Sequence, residues 1–208
     1  VGKDLHCVKA NLAKAKQVQL YTIWQDDWEF NKEKCQKFIL RKLGKSTETS
    51  YNARKCVVKT LKGRQVREFL DKTHLQGFAA GTTYLGLTSE ENLVAVAVFN
   101  ASSNGTHTLT RYASSGLVRG GFGKILSAYE KTLPSGNRLR TFADREVSTG
   151  DLYYKLGWTL VGELPPDYKY VYLKNRHHKF NFRKARFKRD PNLKFEVGKT
   201  ERELAELN

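Results

Sequence analysis

The spacing of apolar residues changes along the chain, and each change marks an element. Phe38, Ile39 and Leu43 share one helical face in residues 33–43, and Gly44 follows as a natural stop. A short apolar stretch, residues 18–24, precedes this helix, and the Ser- and Thr-rich residues 45–52 read as a linker. Cys56, Val57 and Val58 predict a short strand, and a helix follows with Val66, Phe69 and Leu70 on one face. Residues 82–87 and 93–99 predict two strands, separated by a length suited to an antiparallel hairpin. A third strand over residues 108–113 follows the turn signal Asn104-Gly105. The glycine-rich turn of residues 118–124 then opens a helix that turns Ile125, Leu126 and Tyr129 inward. A strand at 139–143, a short helix at 150–156 and strand-like runs at 159–161 and 168–173 complete the set. The predicted class is α/β in the α+β sense, a mixed and largely antiparallel twisted sheet flanked by helices.

Charge adds a partner to this picture. The 208 residues carry 37 Lys and Arg against 21 Asp and Glu, a formal charge of +16, which exceeds what solubility requires and predicts a polyanion. Seven of the cations lie between Arg176 and Arg189, a segment with no Asp or Glu and with Phe180, Phe182 and Phe187 interleaved. Arg176, His177, Lys179, Arg183, Lys184, Arg186 and Lys188 are therefore candidate contacts to nucleic acid, with the Phe rings either stacking on bases or packing on the protein. Beyond this segment, Thr200 and Glu203 form a capping-box pattern for a last helix. No apolar run approaches the roughly 20 residues that span a membrane, so no membrane is expected. Cys7, Cys35 and Cys56 match neither a disulfide framework nor a metal site, which points to a reducing, cytoplasmic compartment. The start at Val1 and the lack of Met read as a fragment or processed product, with room for an upstream domain. The expected organisation is an N-terminal extension over residues 1–45, a main domain over 53–174 and a basic extension over 175–208.

A strand that ends in a glycine turn and enters a helix presents unpaired backbone N–H groups at the positive end of the helix dipole, a cradle for phosphate. Val118, Arg119, Gly120, Gly121, Phe122, Gly123 and Lys124 form this turn. The order of elements around it resembles the GNAT superfamily of N-acyltransferases. Gly121 and Gly123 fall on the small positions of that family's coenzyme motif, Gln/Arg-x-x-Gly-x-Gly/Ala. Val118 stands where the family prefers Gln or Arg, with Arg119 beside it. The run from Leu152 to Trp158, with Tyr153 and Gly157, resembles the family's late motif. The resemblance implies acetyl-CoA, or another acyl-CoA, as cofactor, and an amine as acceptor. Tyr153 matches the general acid of many members, its alternative being a Tyr that packs on the coenzyme without proton transfer. His74, at the end of the first main-domain helix, is a candidate base or a capping residue. Asp144, at a strand end, is a second catalytic candidate or one half of a surface pair with Arg145. Arg111, a further candidate contact to nucleic acid, lies in the strand beside the coenzyme, where an inward guanidinium needs an anionic partner and an outward one is a plain surface charge.

The phrases around Ala53 to Cys56, Phe69 to Gly77, Phe142 to Arg145 and Leu152 to Trp158 look like a phage-encoded GNAT-like module, and residues 21–28 resemble the end of a nuclease-like domain. Relatives of that module are often joined to homing-type or very-short-patch-repair-like endonucleases. The organisation is similar to Mom-type acyltransferases, which modify adenine in phage DNA. That resemblance implies a DNA base amine as acceptor, reached by flipping the base or by using single strands, and protection of phage DNA from restriction inside the infected cell. An acetyltransferase for protein or small-molecule amines, and a DNA-binding module without catalysis, remain as alternatives. One His without a second nitrogen ligand in motif spacing gives no metal set.

Overall fold

The fold is known from a computed structural model in which residues 5–172 and 174–208 are described. In chain order the elements are α1 (Leu5–Ala15), α2 (Gln25–Phe30), α3 (Lys32–Lys42), β1 (Ser50–Asn52), a 3-10 turn (Ala53–Lys55), β2 (Val57–Thr60), α4 (Gly63–Thr73), β3 (Thr83–Ser89), β4 (Asn92–Ala101) and β5 (Thr106–Ser114). There follow β6 (Leu117–Arg119), α5 (Gly121–Glu130), β7 (Arg138–Thr141), α6 (Asp151–Tyr154), β8 (Lys169–Tyr172), β9 (Asn175–His178), a second 3-10 turn (Lys179–Phe182), α7 (Lys184–Arg189) and α8 (Glu201–Glu206).

Five strands form the main sheet in the order β2-β3-β4-β5-β7. Neighbours are antiparallel except β5 and β7, whose parallel pairing requires a crossover, supplied by α5. The hairpin between β3 and β4 turns on Glu90 (φ 48°) and Glu91 (φ 67°). Two positive φ values in succession match the right-handed twist of the flanking strands. The class is the mixed α/β arrangement predicted from the sequence, dominated by antiparallel pairs and flanked by helices.

The chain from Val94 to Phe99 is buried throughout, because β4 is covered on both faces. Ala95, Ala97 and Phe99 pack in one core with Ile125, Leu126 and Tyr129 of α5. Val96 and Val98 pack in another with Val66 and Leu70 of α4. Phe99 stacks on Tyr129 at 3.7 Å between ring centroids, and the Tyr129 hydroxyl lies 2.7 Å from His107 Nδ1.

One irregularity decides which residues face which helix. The ladder of β4 with β5 pairs Val98 with Arg111 and Phe99 with Leu109, so Thr110 is an extra residue, a β-bulge. Strand side chains alternate with period two, and the extra residue shifts that phase by one. Leu109 and Tyr112 consequently both join the core beneath α5, while Ala113 joins the core beneath α4.

Contacts divide the chain into two units, Gln17–Thr159 and a second formed by Leu160–Asn208 with the described residues up to Lys16. Residues 17–52 thus belong with the sheet. Cys35 of α3 is fully buried, Tyr21 meets the Phe38 ring edge-on at 5.5 Å, and β1 pairs in parallel with β6. Arg41 pairs with Glu48 and donates from Nη2 to the Ser114 carbonyl at 3.1 Å. In the second unit β8 and β9 form their own hairpin, and Phe187 and Leu204 are buried. The strand predicted at 159–161 does not form, and Val161 is 99% exposed. The run predicted at 168–173 pairs with β9 and not with the main sheet, and its Leu173 lies outside the described residues. The predicted capping box is present, with the Thr200 side chain and Glu203 bonded reciprocally.

Phe99→Ala removes the ring that stacks on Tyr129 at the centre of the sheet. It is expected to lower unfolding free energy by roughly 3–5 kcal/mol, read as a shift of the urea midpoint.

Candidate functional site

The glycine turn joins β6 to α5. Gly120 is the N-cap of α5, with φ +73°, a conformation in which L side chains are strained. The first intrahelical bond is donated by Lys124 N–H to Gly120 O at 3.0 Å. The N–H groups of Gly121, Phe122 and Gly123 precede it, and α5 is 10 residues long, so its dipole reinforces these donors. An open cleft of about 690 Å³ adjoins the turn, lined by Asn52, Ala53, Arg54, Arg119, Gly120 and Lys124. Three of those six residues are cations, and none is acidic.

Each residue of the turn has a distinct task. Arg119 is exposed at the cleft, and Arg54 faces it from the 3-10 turn after β1. Val118 packs against the core, and its Cγ1 lies 2.7 Å from the place a Cβ on Gly121 would occupy. Position 118 therefore serves packing between β6 and α5, while the guanidinium at the cleft comes from position 119. Lys124 donates from Nζ to the carbonyls of Ala53 (2.9 Å) and Cys56 (2.5 Å), which ties α5 to the corner between β1 and β2. Phe122 is buried beneath the helix.

Tyr153 reaches this same region. Its ring lies edge-on to Phe122 at 5.8 Å and tilts against Trp158 at 5.7 Å. The loop after α6 touches the head of α5 too, with Leu156 Cδ2 3.4 Å from a Cβ built on Gly123. The two motifs singled out in the sequence, around Gly121 and around Tyr153, thus meet in space.

His74 and Arg111 gather beside the C-terminal end of α4, and Asp144 joins them through Gln76. His74 ends that helix, its N–H donating to Leu70 O at 2.8 Å. Its Nδ1 accepts the Gln76 N–H at 3.1 Å, so the neutral ring carries its proton on Nε2. Burial first, then the charges of Arg111 and Lys34, lower its pKa to about 4. This histidine is neutral at physiological pH, but its lone pair is already engaged. Asp144 is bonded in a similar way. One carboxylate oxygen accepts from Gln76 Nε2 at 2.8 Å and the other from Glu146 N–H at 3.0 Å. Gln76 therefore bridges the loop after α4 to the loop after β7. Arg111, turned from the α5 core by the bulge, donates from Nη1 to Thr110 O at 2.8 Å and from Nε to Gly77 O at 3.4 Å. Burial lowers its pKa, and Asp144 opposes that shift. Asp144 is the carboxylate whose charge acts on the guanidinium, without a direct ion pair between the two.

Between these clusters the sheet opens. The β5–β7 ladder ends at Leu109 and Thr141, where Thr141 Oγ1 donates to Leu109 O at 3.0 Å. From Thr110 to Ser114, β5 keeps β4 on one side and has no strand on the other among the described residues. The last of these unpaired positions run toward the glycine turn.

In the second unit, seven predicted nucleic-acid contacts fall on β9, the following 3-10 turn, α7 and, between the last two, Arg183. Lys184, Arg186 and Lys188 are exposed, as is Arg183, whose guanidinium lies 4.0 Å over the Phe180 ring. Lys179 pairs with Asp167 at 2.6 Å, and Arg186 Nη1 donates to Asn181 O at 2.8 Å. Arg176 and His177 are half-buried, the latter edge-on to Phe182 at 6.1 Å. Phe187 is in the small core and Phe182 packs on Tyr170, leaving Phe180, 55% exposed, as the outward ring.

No protein-family model and no curated protein sequence matches the chain. A solved structure of a protein of unknown function from meticillin-resistant Staphylococcus aureus, described as a probable acetyltransferase, is similar over 54% of this chain and 100% of that one, at 11% identity and a TM-score of 0.32. A likeness of that degree carries no functional argument, and the reading below stands on the chain's own geometry. Among the described residues no helix is long and apolar enough to cross a membrane.

The depressed pKa of His74 gives a signed prediction. The unfolded chain binds a proton near pH 6.5 and the folded chain only near 4, so this contribution to stability is complete above about pH 6.5 and is lost as pH falls toward 4. His74→Asn keeps an acceptor for the Gln76 N–H and removes the titration. Between pH 7 and 5 the wild type is expected to lose up to about 2 kcal/mol more stability than the variant, measured by urea unfolding at both pH values.

Proposed function

We propose that the chain is an acyl-CoA-dependent N-acyltransferase acting on nucleic acid, and specifically a Mom-like enzyme that modifies a DNA base amine. One observation carries the cofactor half of this reading. The free amides at the head of α5 stand next to Arg54 and Arg119, at the place where β5 loses its neighbour β7. Such a site suits a diphosphate at the helix end and an extended amide-bearing arm along an unpaired strand edge.

An acyl-CoA bound there supplies an acyl group activated as a thioester. Arg54 and Arg119 neutralise phosphate, and the amides of Gly121, Phe122 and Gly123 donate to its oxygens. The unpaired edge of β5 offers backbone donors beside the arm. Tyr153, held between Phe122 and Trp158, is the catalytic candidate whose ring packs against the first turn of α5. Asp144 and Gln76, bonded to each other, and Arg111 offer polar groups to an acceptor. Their bonds suit them to hold an acceptor in place. The acceptor half rests on charge. The exposed cations of α7 and the Arg183–Phe180 stack suit a phosphate backbone and a base face. Protection of phage DNA from restriction would follow from such a modification.

A second reading, a DNA-binding module without catalysis, is favoured by Val118 lying in the core and by the engaged lone pairs of His74 and Asp144. Incubation with acetyl-CoA and single-stranded or duplex DNA, followed by mass spectrometry of the nucleosides, separates the two. An acetylated nucleoside is the expected result. Unmodified nucleosides together with tight DNA binding would leave the binding module.

The double variant Arg54→Ala, Arg119→Ala is expected to weaken acetyl-CoA binding on the order of tenfold or more while DNA affinity stays within twofold, by calorimetry. Replacing Arg183, Lys184, Arg186 and Lys188 by Ala should lower the slope of log affinity for DNA against log salt by roughly 3–4. An unchanged slope would place the DNA elsewhere.

A further inference from the structure

Tyr112 stands at the head of α5 without a task in the fold that accounts for its hydroxyl. It pairs with Ala97 of β4, three residues beyond Leu109, where the ladder to β7 ends, and the bulge at Thr110 turns it toward α5. Its ring tilts against Phe122 at 4.9 Å between centroids. Its hydroxyl oxygen lies 2.8 Å from the position a Cβ on Gly121 would take. Helical Cα–Cβ bonds lean toward the helix N-terminus, so the oxygen sits at the N-terminal rim of α5, beside the free amides. Glycine at 121 keeps that space open.

Buried tyrosine hydroxyls usually find a partner, yet no described residue bonds this one. Among the described residues no fully enclosed side-chain polar atom lacks a partner. The Tyr112 oxygen is therefore not fully enclosed. Burial pushes its pKa up to about 12, so it holds its proton and acts as a donor.

We propose that the Tyr112 hydroxyl is a further ligand-binding donor at the glycine turn, directed at a diphosphate oxygen of the acyl-CoA and acting with the amides of Gly121, Phe122 and Gly123. This rests on the cofactor reading above. The phenol would add a neutral donor from β5 to the charged donors of Arg54 and Arg119.

Tyr112→Phe removes the hydroxyl and leaves the ring on Phe122. Acetyl-CoA binding to wild type and variant is compared by calorimetry, with the melting temperature as a check on folding and the ³¹P resonances of the bound cofactor as a local probe. The variant is expected to bind on the order of tenfold more weakly, to melt no lower than wild type, and to shift the diphosphate resonances while the 3′-phosphate resonance stays in place. Equal affinity with unmoved diphosphate resonances overturns the assignment of Tyr112 and leaves the cofactor site standing. A wild type that does not bind acetyl-CoA removes the cofactor site and this assignment together.

Discussion

Between the pairs Val98–Arg111 and Phe99–Leu109 the ladder of β4 and β5 skips Thr110, and the two sides of the site are set by that skip. Without the extra residue, the period of two would carry Arg111 into the apolar core beneath α5 and turn Tyr112 toward α4. A guanidinium among Phe99, Ile125 and Leu126 would lack an anion and could not remain. The bulge directs Arg111 to the Gly77 carbonyl and leaves the α5 side to an aromatic series, Tyr112 on Phe122 and Phe122 on Tyr153. It also falls just past the last rung to β7, where the edge of β5 becomes available.

Most polar groups near the opening are held by the protein's own backbone. His74 Nδ1 and one Asp144 oxygen accept backbone amides, and Gln76 bonds the other oxygen. Lys124 clamps two carbonyls of the corner between β1 and β2. The result is a frame with little freedom to rearrange, in which the donors left for a ligand are few: the first amides of α5, two arginines at the cleft and two tyrosine hydroxyls. Preorganisation of this kind limits the entropy lost on binding.

The main sheet was legible because its signals are local. The hairpin shows two apolar runs at strand length, and the glycine turn announces the start of α5. The bulge has no such signature, since Thr110 sits in an ordinary alternating run, and so the inward or outward sense of Arg111 stayed open and Tyr112 went unnoticed. A Tyr within the strand that leads to the glycine turn was the available signal. Residues 159–161 misled in the opposite sense. Thr, Leu and Val have strand propensity, but propensity without a neighbouring strand forms no ladder. Residues 17–52 read as extension and linker because their contacts to the main sheet and its helix are long-range: Arg41 to Ser114 of β5, and Lys34 to Asp71 of α4. Lys124 looked like a phosphate contact from its place in the turn, and only the fold brings the carbonyls of Ala53 and Cys56 to it.

The segment before α2 is fastened to the loop after Asp144 at two points. Thr22 N–H donates to the Glu146 carbonyl at 2.8 Å, and Trp24 Nε1 donates to the Glu146 carboxylate at 3.0 Å. Glu146 in turn donates its own N–H to Asp144. The chain ahead of α2 thus helps to fix, through one residue, the position of the Asp144 carboxylate.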